Sequence, residues 1–589
     1  MLFDRLRNLL RRHPEVQAPV TVEPAAPPAP RILGFTLVKN EQDIIEPFLR
    51  HNAGLLDALV VVDNGSVDAT RSIALACARE LGNIVIADHP AFGFSHDLRS
   101  DRILPACQCA FFADYVIPLD ADEFLGCGSR AELEALVSAI PPGGLGSMAW
   151  RSFVIRPGQE DAVAQDPPRG FTHRRRLEQP EFHKAVLRLD GAAPHGLKLD
   201  PGSHGASRGG QPVPATPLPG LPLLHVPVRS ARQVAAKGVV AWMSRLAVDP
   251  AARDSDDSFQ WRQAFDVVAQ GGQEAAGAGL AETAMRYAQD RGPIDGDADT
   301  QAEQPPGPLP RRHSSGAFMD PLALVARSWE QAVTPPRPLL RLARPEGLAP
   351  LPGTTDTAFD AAWHWDHLFL DIPPFRFLAE KHQPRSVLDV GCGIGQYLAL
   401  FRALGASTVL GVDGVPEAAV AGVLEPAEYQ ARDLAQSFDL GTRFDLVLCL
   451  EVAEHMAPAD AAVLLDSVAR HAGERIVFSA AEPDQPGHGH VNCRPLAEWL
   501  RDWADRGWVP DLVDSLGLRA LATLSWFRRN PVVLRRGGVA EGAAATRILS
   551  GIAARPYAWY AQPPAIHEHP FAAPPPGPGQ AYDAGPGPA

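Results

Sequence analysis

The stretch SVLDVGCGIGQYL, residues 386–398, decides how this chain is read. Val387, Leu388 and Val390 make a short apolar run around Asp389, and Gly391, Gly393 and Gly395 follow at once. An apolar run that breaks into spaced glycines and resumes as an apolar segment predicts a buried parallel strand turning sharply into a helix. Glycine accepts positive φ and lets a ligand come close to the main chain, so such a turn can cradle a small molecule. Tight strand-to-helix turns are common, however, and the glycines alone are weak evidence. Their neighbours carry the argument.

Downstream, Thr408–Val412 reads as a strand ending in Asp413, 24 positions after Asp389. An acid at a second strand's end suits bidentate hydrogen bonding to ribose hydroxyls, for a nicotinamide dinucleotide as well as for other nucleosides. Two features point away from the dinucleotide. The acid Asp389 stands ahead of the glycines, and the spacing is GxGxG, not GxGxxG. Asp433 and Leu434 then offer an acid and an apolar side chain to an adenine-sized slot. FDLVLCLEVAEH, residues 444–455, is a further strand ending at Glu451, and Ile476–Ala480 is the next. Strands near Leu518–Leu524 and Pro531–Leu534 complete a sheet of seven. Upstream, Trp363, Trp365, Phe369, Phe375 and Phe377 form an aromatic approach, either core or lid.

As an ensemble, residues 356–540 resemble the class I S-adenosylmethionine-dependent methyltransferases, with a Rossmann-like seven-stranded domain. The resemblance implies that Asp389, Gly391, Gly393 and Gly395 cradle the amino-acid part of S-adenosylmethionine. It also implies that Asp413 holds the ribose, that Asp433 and Leu434 frame the adenine, and that Glu451 lies at the cofactor's edge. Methylation of an oxygen also needs a proton removed. His455, and His488 and His490 in GHGHVN, are the candidate catalytic groups there. Glu451, Glu454 and His455 spell Glu-x-x-Glu-His, similar to the metal site of terminal-ribose RNA methyltransferases, with His490 as a fourth ligand. The competing reading is a strand end and a helix opening with no metal.

The first half is read the same way. Ile32–Val38, Ala58–Val62, Ile84–Ala87 and Tyr115–Leu119 are strands separated by helix patterns, which predicts a parallel α/β layer. Polar residues gather at the strands' carboxyl ends, where open α/β sheets bind ligands. Asp120 and Asp122 stand two residues apart just past a strand, a spacing that lets two carboxylates meet one hard divalent ion. Alone, the pair reads sooner as a loop of solvated acids.

Taken together, KNEQDIIEPFLRHN (39–52), VVVDNGSVDAT (60–70), PLDADEF (118–124), His183-Lys184 and LLHVPVRS (223–230) resemble GT-A-type glycosyltransferases of the family-2-like group. That likeness implies a nucleotide-sugar site of Asn40, Glu41, Asp63, Asn64, Ser66, Asp68 and Asp120. It implies Mg²⁺ or Mn²⁺ on Asp120 and Asp122, with His225 either completing the shell or standing as a core histidine. Glu181, His183 and Glu123 are the candidate acceptor bases, and the residues do not choose among them.

The rest of the chain sets limits. Its 589 residues exceed one core, and the expected organisation is α/β with two catalytic domains. Residues 1–30 read as a basic helix and a proline-rich tether, 31–250 as the GT-A-like domain and 251–355 as a helical appendage and linker. Residues 356–540 are the methyltransferase domain and 541–589 a Pro/Gly-rich tail. A net charge of −15 excludes a nucleic-acid protein working through general electrostatics. Seven irregularly spaced cysteines read as reduced thiols, hence a cytoplasmic protein. Arg5, Arg7, Arg11 and Arg12 opposite Leu2, Leu6, Leu9 and Leu10 allow residues 1–13 to lie on the inner face of an anionic membrane, or to pack on the chain itself.

The expectation is therefore a bifunctional enzyme. One half moves a sugar from a nucleotide-sugar donor with metal help, and the other O-methylates a glycan or another hydroxyl acceptor. Two alternatives stand beside it: a methyltransferase whose first half only binds a sugar nucleotide or glycan, and a non-enzymatic scaffold.

Overall fold

Short apolar strands alternating with helices build two mixed sheets. The computed structural model describes residues 31–89, 98–189, 197–254, 280–289, 296–305, 320–334, 338–346, 361–557 and 581–586, with a few single residues between them. The segment 1–13 and its tether, most of the helix expected at 259–270 and the proline-rich run at 572–578 lie outside the described residues.

In the first sheet β1 (Ile32–Val38), β2 (Ala58–Asp63), β3 (Ile84–Asp88) and β4 (Tyr115–Leu119) are parallel, in the order β3-β2-β1-β4. Every residue of β1 and β2 is buried, as expected for strands covered on both faces. Past β4 the sheet turns antiparallel through β6 (His183–Arg188) to β5 (Leu145–Val154). A short strand β7 (Leu223–His225) runs along β5 and sets His225 opposite Ser152 on one side and Glu123 on the other. The chain steps outward from β1 to β3, then crosses back to β4. The crevice at the carboxyl ends of β1 and β4 is therefore a switch point, where such sheets take ligands.

The second sheet has the seven strands expected. They are β8 (Ser386–Val390), β9 (Thr408–Asp413), β10 (Tyr429–Ala431), β11 (Phe444–Leu450), β12 (Ala472–Ser479), β13 (Trp508–Asp511) and β14 (Val532–Arg536), ordered β10-β9-β8-β11-β12-β14-β13. Only β14 runs against its neighbours. Its switch point lies between β8 and β11, so the glycine turn after β8 faces the segment after Leu450.

Two local expectations are corrected. Leu518–Leu521 belongs to the helix Leu512–Leu521, and the strand falls earlier, at Trp508–Asp511. A short apolar run does not choose between helix and strand; here the Asp511 carboxylate accepts from Asp514 N and starts the helix. The segment from 541 is not all tail. Val539–Ala553 is a helix that buries Leu549 and Ile552, and Ala581–Pro586 pairs antiparallel with Pro338–Ala343.

The boundary near 350 divides the sequence but not the core. One buried apolar cluster joins Val60, Val62, Val85 and Ala87 of the first sheet to Phe375, Phe377, Leu516 and Leu518 of the second half. Contacts group the chain from Arg31 onward into one compact unit. Gly517 makes the close approach possible, because a Cβ there would lie 2.9 Å from Val85 Cγ2. Arg71 spans the same junction, holding Asp88 with two bonds (2.9 and 3.0 Å) and Glu380 at 2.6 Å. Lys381 donates to Gly82 O and to Asp514.

Candidate functional site

The glycine turn is built as its sequence demands. Gly391, Gly393 and Gly395 all have positive φ (84°, 55° and 83°), which a side chain would strain. Their bareness also serves packing. A Cβ at 391 would meet Val452 Cγ2 at 2.3 Å, at 393 His364 Nδ1 at 2.9 Å, and at 395 Leu424 Cδ1 at 2.4 Å. His364 was not singled out by the sequence; only its neighbours Trp363 and Trp365 were. Of the aromatic approach, Trp365, Phe375 and Phe377 are core, whereas Phe369 is exposed and meets Trp526 edge-on.

Two carboxylates sit beneath this turn. Asp389 is buried at the end of β8, and burial, helped by the Asp413 charge, pushes it up to about 7. Asp413 closes β9; one oxygen accepts from Gly393 N at 2.8 Å and the other from Val415 N at 3.1 Å. Arg432 N donates to Asp413 O, which draws Asp433 and Leu434 to the same end of the sheet. Asp433 is exposed and accepts from Ala435 N, and Leu434 is half-buried. A poorly solvated carboxylate beside a second one is a site for a cationic group. The residues thus fit the ammonium, ribose and adenine of S-adenosylmethionine.

Across the switch point, Glu451 has φ of 54°, an uncommon conformation for a non-glycine residue. Its carboxylate accepts from Gln485 at 3.0 Å and from Asn530 at 3.0 Å. Those two partners carry no local motif and escaped the sequence reading. Glu454 is fully buried, and burial followed by the neighbouring Glu451 raises its pKa well above the carboxylate range. His455 and His490 stand with ring centroids 5.0 Å apart. Burial lowers His455 to about 4. His488 is exposed.

In the N-terminal half the residues expected to bind a nucleotide sugar do gather at the carboxyl ends of β1, β2 and β4, but they largely bond one another. Asn40, with φ of 57°, donates its N–H to Ser66 Oγ and accepts from Val67 N. Asp63 accepts from Ser66 N, and burial raises it to about 6. Asn64 is buried, and Asp68 accepts from Thr70 N and Gln42 N. Glu41 lies 2.7 Å from Arg229 and 3.4 Å from Lys237.

The Asp120–Asp122 pair is not arranged as an ion cage. Asp120 is held by Lys184 at 2.6 Å and Arg99 at 2.7 Å. Burial alone would raise it, but these two cations hold it far below the carboxylate range. Asp122 is held by Lys237 at 2.6 Å, with Arg229 at 3.7 Å, and lies at about 2 although burial opposes this. His225 stacks on Trp150 at 4.0 Å, and its Nε2 is 3.9 Å from Asp122. Burial lowers it to about 3. Among the described residues, the groups that bring three ligand atoms within 4.8 Å of one another are Glu46/Cys77/His313 and Glu454/His455/His490; Asp120/Asp122/His225 is not one of them. Mg²⁺ or Mn²⁺ therefore does not fit this set as it stands. Of the acceptor-base candidates, Glu123 is fully buried against Lys184 and Trp150 Nε1, while Glu181 and His183 lie at the surface side, 4.0 Å apart. Lys237 and Arg99, which carry the charge balance, were not legible as site residues.

Comparison with known proteins agrees with the C-terminal half. A family model described as a methyltransferase domain matches residues 362–525. The ubiquinone biosynthesis O-methyltransferase of Methylobacterium nodulans is 33% identical over 130 residues, which are 21% of this chain and 50% of that one. A probable chloroplastic tocopherol O-methyltransferase of Oryza sativa subsp. japonica is 32% identical over 171 residues, 25% of this chain and 46% of that one. The chain thus spans about half the length of the curated relatives it matches. Among solved structures, a sugar N-methyltransferase of Streptoalloteichus is 21% identical and covers 31% of this chain and 90% of its own, with a TM-score of 0.24. No helix among the described residues is long and apolar enough to cross a membrane. Residues 362–525 are a methyltransferase domain.

Proposed function

We propose that this chain is an S-adenosylmethionine-dependent O-methyltransferase whose N-terminal half binds a sugar nucleotide or glycan. The observation that carries the reading is the turn Gly391–Gly395 at the switch point, with Asp389 at about 7 beneath it. When bound, the cofactor supplies a methyl group on a positively charged sulfur, so alignment counts for more than activation. Asp389 offers its charge to the ammonium, and Asp413 is aligned for the ribose by its bond to Gly393 N. Leu434 offers an apolar face to the adenine, and Asp433 lies beside it.

The acceptor side is Glu451, His455, His488 and His490. His455, held near 4, is neutral at pH 7, and a neutral ring presents a lone pair to an incoming hydroxyl. Oxygen is the preferred acceptor atom because both curated relatives are O-methyltransferases. A sugar hydroxyl is the preferred class because the N-terminal cleft collects Asn40, Glu41, Asp63, Asn64 and Asp68 at a second switch point. Sugar transfer by that cleft is the second reading, favoured by the parallel order β3-β2-β1-β4.

The test gives the full chain methyl-labelled S-adenosylmethionine with nucleotide sugars, glycans and simple diols. Label transfer that Asp389→Asn abolishes supports the reading. Tight cofactor binding without transfer to any acceptor supports a scaffold. Metal-dependent release of nucleotide from a sugar nucleotide restores the bifunctional enzyme.

A further inference from the structure

We infer that Gln485 and Asn530 are positioning residues that hold Glu451 as an uncompensated anion beside the cofactor's sulfur, so that the pocket tells the charged methyl donor from its neutral-sulfur product. This rests on the cofactor reading above and deepens it.

Methyl transfer makes an O–C bond and breaks an S–C bond, whose electron pair returns to sulfur while the hydroxyl proton passes to water. The donor thus carries two positive groups, an ammonium and a sulfonium, and the product keeps only the ammonium. Asp389 answers the ammonium. The reacting methyl lies between the sulfur and the incoming oxygen, so a carboxylate where the acceptor side begins also borders the sulfur. Glu451 holds that place.

The ion pairs of the chain single out the same two residues. Asp43, Asp122 and Asp514 are buried, and each has a cation on it: Arg229 at 2.6 Å, Lys237 at 2.6 Å and Lys381 at 2.5 Å. Among the described residues, neither Asp389 nor Glu451 forms an ion pair with a lysine or arginine. Burial raises both carboxyls; Asp413 adds to this at Asp389, while bonds from Asn530, Ser479 and Gln485 oppose it at Glu451. The two border one space, since burial and Asp371, then Asp389 and Glu451, raise the Tyr397 hydroxyl on the helix Gln396–Ala403. A poorly solvated carboxylate with no cation is costly until a positive ligand arrives.

Glu451 is held instead by groups that donate without neutralising. Gln485 Nε2 donates to it at 3.0 Å. Asn530 Nδ2 donates to it at 3.0 and 3.2 Å, and to Gln485 Oε1 at 2.8 Å. A lysine in either place would cancel the charge, whereas a carboxamide only orients it. Both carboxamides are buried and fixed in turn. Gln485 N donates to Glu482 O, Asn530 N to Trp526 O, and the buried Arg519 to Pro531 O at 2.9 Å. Glu451 N itself donates to Ser479 O at 3.0 Å and Ser479 Oγ at 3.1 Å. Such anchoring keeps a non-glycine residue at a φ of 54°. Asn530 Oδ1 is left buried without a hydrogen-bond partner, a further acceptor for a positive group.

The test is calorimetry of the full chain with S-adenosylmethionine and, separately, with S-adenosylhomocysteine. Glu451→Gln should weaken the sulfonium compound at least tenfold and the thioether less than about threefold. Gln485→Ala and Asn530→Ala should each shift the ratio of the two affinities in the same direction, by about threefold to tenfold. The thioether is also the check on folding, because both compounds share the ammonium, ribose and adenine. Equal loss of both ligands in the three variants overturns the inference and leaves the cofactor reading intact, as does a ratio that none of them changes. No binding of either compound by the wild-type chain overturns both.

Discussion

Asp389 is the residue on which the cofactor site turns. Its folded pKa of about 7 lies above the ordinary carboxylate value of 3.8, so its ionised form is disfavoured by folding. The cofactor-free protein therefore loses stability as pH rises from about 4 to 7, and an ammonium seated on Asp389 offsets that loss. S-adenosylmethionine should accordingly raise Tm more at pH 8 than at pH 6. Its Kd should rise ~tenfold per pH unit below 7, a slope that Asp389→Asn flattens. Gly393→Val combines a positive φ with a Cβ 2.9 Å from His364, and affinity should fall at least tenfold by calorimetry. The motif residues Asp389, Gly391, Gly393, Gly395 and Asp413 were legible because each spacing follows from one strand-to-helix turn. Gln485, Asn530 and His364 were not, because they arrive from distant segments with no local pattern.

Elements decide what those residues meet. The helix Ala231–Val248 carries Lys237 in an otherwise apolar stretch, VAAKGVVAWM, and delivers it to Asp122 and Glu41. That lone lysine among apolar residues was the available signal, and it reads equally as a solvated position. Lys237→Met should leave the buried Asp122 with Arg229 only at 3.7 Å, while Glu41 keeps Arg229 at 2.7 Å, and destabilise the protein by about 3 kcal/mol, read as a lowered Tm. Asp122 is depressed to about 2, so the stability this pair gives is present above the ordinary carboxylate range. It is lost as pH falls towards 2, and the difference between wild type and Lys237→Met should shrink there. The strands were readable from continuous apolar runs, β1 and β2 most of all. The helix Leu512–Leu521 was misread because its periodicity is masked by Gly517, which is there to admit Val85.

At the scale of the whole molecule, the two sheets share one apolar cluster, and the Arg71–Glu380 ion pair and the hydrogen bond from Lys381 to Gly82 O cross between them. Residues 356–589 expressed alone should expose the Phe377–Leu516 face and melt well below the full chain. The full chain should unfold in one transition, and Gly517→Leu should lower its Tm by driving a side chain into Val85. No sequence pattern announces such a shared core, since the linker around residue 350 reads as a domain boundary. The account stands or falls on cofactor binding by the intact chain. Calorimetry of S-adenosylmethionine against the full-length protein should give one equivalent at pH 8, with affinity lost in both Asp389→Asn and Gly393→Val. No binding heat from a folded protein, or wild-type affinity in the two variants, would contradict it.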